Sequence, residues 1–211
     1  MKQVVICLAA TFLLSACVTD GPRDSGGRGM QISDAKEIEF ARTDLDIPLY
    51  LHSEIASVTQ EVRDNTSPID SYNLGDHGKI QTQRAPHWFS SQTETDVKSR
   101  EKFEERVKRL LGGRDIPAGS IEEVRHEDKL RALGYLVSFR RGSENCIYAY
   151  AGYRLGGRTP YDNDTGMIDS IIETLYCGPE EMLDQTRQMI GKVTKVKDRD
   201  RYAADLKKAG A

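Results

Sequence analysis

Residues 134–155 read GYLVSFRRGSENCIYAYAGYRL. Two runs rich in Tyr, Val, Ile and Phe flank the turn-forming GSEN, the pattern of a β-hairpin. Taking 142–145 as the loop pairs Phe139 with Tyr148, Val137 with Tyr150 and Tyr135 with Gly152. One face of this hairpin is aromatic and belongs to a core. The other carries Leu136, Ile147, Ala149 and Ala151, small enough to let a helix lie close.

Residues 167–177, MIDSIIETLYC, are the next element, and they send two signals. Their apolar spacing is helical, while Ile, Thr and Tyr favour a strand. The cysteines help to decide. If 168–177 runs antiparallel beside 146–155, Cys146 and Cys177 face each other within disulfide range. A strand is therefore the favoured reading, with Cys146–Cys177 closing a loop worth about 3–4 kcal/mol. No C-x-x-C spacing points to a redox or metal pair instead.

Two helices are expected around this sheet. Residues 93–111 place Phe103, Val107, Leu110 and Leu111 on one stripe, ended by Gly112 and Gly113. After Pro179, the residues Met182, Thr186, Met189, Ile190 and Val193 form a second stripe. Residues 49–62 and 121–130 offer weaker strands, and 34–48 a short helix or strand broken by Pro48. Residues 63–92 are polar and rich in turn formers, which predicts a long loop. The fold class is α+β: a small antiparallel sheet of three to five strands, two main helices and one disulfide.

The amino terminus has a different character. Lys2 precedes residues 4–14, which are apolar except for Thr11. That is the length of a signal-peptide apolar region and too short to span a bilayer. Leu14-Ser15-Ala16-Cys17 then resembles the lipobox of bacterial lipoprotein precursors. The resemblance covers about 17 residues and leaves the rest of the chain without a family. It implies cleavage before Cys17, a diacylglycerol on the thiol and an acyl chain such as palmitate on the new amino group. Several chains anchor a protein stably where one does so marginally. An ordinary secretory cut, with Cys17 left as a thiol, is the alternative. Residue 18 is Val, not Asp, which in the lipoprotein class favours the outer membrane, facing the periplasm.

The division that follows is 1–16 signal peptide, 17–33 lipidated cysteine and Gly-rich tether, 34–195 single domain, and 196–211 charged tail. Removing 1–16 takes away one Lys and no acid, so the formal charge moves from −3 to −4. With no basic block, nothing favours a nucleic-acid partner. The membrane partner comes through lipid, and Cys7 is lost with the signal.

Candidates for chemistry are sparse. None of His52, His77, His87 and His126 stands at metal-ligand spacing from another, and exposed histidines are expected. Residues 161–173 hold Asp162, Asp164, Asp169 and Glu173, an imperfect calcium-loop spacing that a plain turn also satisfies. No nucleophile motif and no phosphate loop is present. No metal or cofactor is expected. Trp88 and Phe89 follow Pro86 in a polar stretch and are candidate partner contacts, or else a plug fastening the loop. The sequence favours a non-enzymatic, lipid-anchored envelope domain that binds or supports an envelope protein partner. The alternative is a periplasmic enzyme or small-ligand binder with a pocket near 63–92.

Overall fold

The computed structural model describes residues 35–39, 43, 45–46, 55–63, 67–85, 89, 91–114, 116, 120–127, 132–156, 168–195 and 197–209. Residues 1–33, where a signal peptide, lipidated Cys17 and a tether are expected, lie outside them, as do His52, His87, Trp88, Asp162 and Asp164.

The hairpin is present, as β7 (Ala132–Arg141) and β8 (Glu144–Tyr153). Its loop is two residues, not four: Arg141 pairs with Glu144, and Phe139 with Cys146. Gly142, at φ +64°, supplies the positive φ that two-residue hairpin turns require. Each expected pair is displaced by two residues, so Val137 faces Tyr148 and Tyr135 faces Tyr150. A slip of two keeps every side chain on its assigned face. Residues 170–178 form a strand, β9 (Ser170–Gly178), and Cys146 stands opposite Cys177 as expected. The two are bonded, with Cα atoms 4.0 Å apart.

The sheet is larger than three to five strands. It has eight, all antiparallel, in the order β1-β3-β4-β5-β9-β8-β7-β6. Here β1 is Lys36–Glu37, β3 Ser57–Arg63, β4 Ser67–Asn73, β5 Gly78–Arg84 and β6 Ile121–Glu123. A second, two-stranded sheet pairs β2 (Leu45–Asp46) with β10 (Thr194–Lys195). The stretch expected as a loop, 63–92, therefore holds two seven-residue strands. The three-strand meander β3-β4-β5 joins the meander β7-β8-β9 through the β5–β9 ladder.

The described residues form four α-helices rather than two. The expected helix over 93–111 is split into α1 (Ser91–Lys98) and α2 (Arg100–Leu110). Ser99 makes the break: it is extended (φ −76°, ψ 109°), and its Oγ accepts from the Lys102 amide at 3.2 Å. That is the geometry of an N-cap. Ser99→Ala should cost about 1 kcal/mol in urea unfolding, whereas a continuous helix would gain from the same change. The third helix, α3 (Glu180–Lys192), starts after Pro179, and the charged tail contributes α4 (Arg199–Ala209). No described helix is long and apolar enough to cross a membrane.

The two faces of β7–β9 are both buried. Phe103 and Val107 of α2 and Val97 of α1 cover Val137, Phe139, Tyr148 and Tyr150. Leu183, Met189 and Ile190 of α3 cover Leu136, Ile147, Ala149 and Ala151. The small residues thus admit the helix that the sequence predicted. Phe89 belongs to the first core, and its amide donates to Ile168 O at 2.9 Å. It acts as a plug that fastens the chain after β5, not as an exposed partner contact.

Candidate functional site

On the α2 side, helices cover only part of the sheet. Among the described residues, no helix lies over the matching face of β3, β4 and β5. Strand pairing arranges that face in rows. One row runs Thr59, Ser71, Gln81, Glu173 and Tyr150; a second runs Glu61, Ile69, Gln83 and Ile171. Where this open face meets α2, a groove of about 340 Å3 forms. Glu61, Gln81, Gln83, Arg106, Tyr150 and Glu173 line it, over Ile69 and Ile171.

Arg106 stands at the wall of the groove. It lies between Phe103 and Val107 in sequence, so the helix that buries those two directs Arg106 along the flank of the apolar stripe. Its guanidinium carbon is 4.1 Å from the centre of the Tyr150 ring. Its Nη1 is 3.6 Å from Glu173 Oε1, the same oxygen that accepts from the Tyr148 hydroxyl at 2.7 Å. Phe103 stacks on Tyr148 with centroids 5.5 Å apart. Two tyrosines, one arginine and one carboxylate thus hold each other in place.

The electrostatics follow from burial and contact. Burial disfavours the Arg106 charge, but Tyr150, Glu173 and Tyr148 more than offset this, and its pKa is raised. Burial, then Glu173, pushes the Tyr148 phenol well above its ordinary range. Tyr150 is raised by burial, against the pull of Arg106. Tyr72 and Tyr153 are raised as well, chiefly by burial. A phenol with a raised folded pKa contributes stability that is complete below its unfolded value and lost as pH rises. Stability should therefore fall as pH passes about 10, the unfolded tyrosine value. The tyrosinate absorbance contributed by Tyr72, Tyr148, Tyr150 and Tyr153 should appear together with unfolding, not before it. Ionisation of all nine tyrosines in a still-folded protein would contradict this.

The remaining candidates are occupied in the fold. His126 is buried, not exposed as expected: its Nε2 lies 2.8 Å from Val193 O and so carries the proton. His77 is half-buried, stacks on Tyr176 and places Nδ1 2.9 Å from Cys177 O. Asp169 is buried and accepts from the amides of Leu155 and Gly156 and from Ser170 Oγ. It ties Leu155 and Gly156 to the start of β9, while Glu173 is turned toward α2. Among the described residues, no group of three or more His, Cys, Asp and Glu is placed to hold a metal. A second hollow, of about 260 Å3, lies between the β7–β8 hairpin and the start of α3. Its polar groups bond to one another: Arg187 to Glu122 and Ser138, and Asn145 to Glu180.

The sequence reading missed Arg106, Gln81, Gln83 and Tyr150 as a set. One signal was available: a charged residue set between two stripe positions on an amphipathic helix. Comparison with protein-family models, with curated proteins and with solved structures gives no match.

Proposed function

We propose that the chain is a lipid-anchored domain of the bacterial cell envelope that works by binding. Lipid on Cys17 holds it at the outer membrane facing the periplasm, and it contacts an envelope protein partner. The observation that carries this reading is Leu14-Ser15-Ala16-Cys17 following an apolar segment of signal-peptide length. The bond between Cys146 and Cys177 supports it, because such bonds persist in oxidising compartments. Fractionation of cells fed a labelled fatty acid tests the anchor. Wild-type protein should carry label and sediment with membranes. Cys17→Ser should lose the label and leave the membrane pellet; a variant that still sediments overturns the anchor.

One observation favours a second reading of the binding. The sequence placed the alternative pocket near 63–92, and β4 and β5, which lie within that stretch, form much of the groove floor. A small-ligand or glycan-binding role therefore stands beside the protein-partner role.

A further inference from the structure

We propose that the groove between α2 and the open face of β3–β5 binds an uncharged polyhydroxyl ligand, a short segment of glycan. The proposal rests on the ligand-binding reading just given and names the chemistry of that site.

The first argument is the kind of side chain on the open face. Thr59, Ser71, Gln81 and Gln83 carry hydroxyls and amides, and all four are half-buried. Hydroxyl and amide groups each donate and accept, as sugar hydroxyls do. Gln81 Nε2 already donates to Ser71 Oγ at 2.9 Å, which orients its amide across the strands. Neighbouring strands lie about 4.8 Å apart, so one row offers a hydrogen-bonding group at intervals comparable to a pyranose ring. Ile69 and Ile171, both buried, supply the apolar floor against which ring C–H faces can rest.

The second argument is charge. The groove holds two carboxylates, Glu61 and Glu173, and one guanidinium, Arg106, leaving one net negative charge. Lys79, exposed on the same face of β5, balances that charge, so nothing in the described residues favours a polyanion over a neutral ligand. Among the described residues that line it, Glu173 is engaged by Tyr148 and Arg106, which leaves Glu61 at the rim for a cation. Arg106 lies over Tyr150 and beside Glu173, which makes it a wall of the groove instead of an anion anchor.

The third argument is shape. Ligand sites run from about 300 Å3 upward, and this one is near that limit and partly open to solvent. It fits a short stretch of a longer chain passing through better than an enclosed small molecule.

The test uses the purified full chain in detergent. Neutral malto-, cello- and N-acetylglucosamine oligosaccharides are titrated by calorimetry, with an uncharged peptide as comparison. A pull-down on insoluble cell-wall glycan stripped of its peptides separates a polymer source from free sugar. At least one neutral saccharide should bind, and Gln81→Leu and Gln83→Leu should each weaken it by about tenfold or more, as loss of a ligand hydrogen bond does. Gln83→Leu should keep the wild-type urea midpoint, whereas Gln81→Leu, which gives up the bond to Ser71 Oγ, should lower it slightly and still fold cooperatively. No saccharide binding, or binding indifferent to both substitutions, overturns the proposal. If the peptide alone binds and Gln81→Leu abolishes it, the groove stands as a binding site and the glycan assignment falls. If neither binds, the ligand-binding reading falls with it.

Discussion

Reduction of the Cys146–Cys177 bridge should lower the stability of the domain by about 3–4 kcal/mol. The bond joins residues separated by 31 positions, and in the chain-entropy account it restricts the unfolded ensemble accordingly. It sits between β8 and β9, which are paired along nine residues. The ladder survives reduction, so the reduced protein should still fold, with a lower urea midpoint and a somewhat steeper slope, because its unfolded chain is freer to expand. Both sulfurs are buried, so reduction will require opening of the sheet and should be slow without denaturant. Cys146→Ala combined with Cys177→Ala should reproduce the loss. Equal midpoints for oxidised and reduced protein would remove the bond from the energetics. Two titratable thiols in protein isolated from its own cells would show that it does not form in the cell.

Gly134→Val should be more damaging, at more than about 4 kcal/mol, and the variant is expected to be insoluble. Gly134 has φ +116°, a conformation that residues with a side chain rarely adopt. A Cβ there would stand 2.3 Å from Tyr150 O and 2.9 Å from Ala151 Cα. Both are backbone atoms of the facing strand, which cannot swing aside as a side chain would. Gly134 O also accepts from the Val124 amide, so a shift would disturb the chain after β6 as well. Gly142→Ala separates the two costs. It too has positive φ (+64°) but open space around it, and should lose only about 1–2 kcal/mol. Equal losses at the two sites would mean that the close approach of β7 and β8 is unimportant.

What the sequence revealed, and what it hid, follows from how the faces are used. The hairpin and β9 were legible because both of their faces are buried and almost every residue is apolar or small. Faces were assigned correctly even though the loop was misjudged, since the error was an even number of residues. Glu144 and Asn145 look like loop residues, yet they pair with Arg141 and Arg140 at the exposed tip. The strands β4 and β5 were hidden by composition. On their inward side Tyr72 and Ile80 alternate with Asp70 and Thr82, and their other side is the polar open face. With so few apolar residues the two-residue period is lost. The split between α1 and α2 was invisible because a serine inside a helical stripe signals a cap only when its backbone leaves the helix. The groove could not be read at all: Arg106 and Glu173 belong to α2 and β9, and only the β8–β9 pairing beneath α2 brings them together.

The sheet ends on one side in a strand of two residues, β1, and on the other in a strand of three, β6. Between them lie six strands of seven to ten residues. A sheet that ended in one of these would offer its neighbours a long template for joining edge to edge. The brief outer strands deny that template. Copies at high local concentration can then stay separate and keep their open faces available.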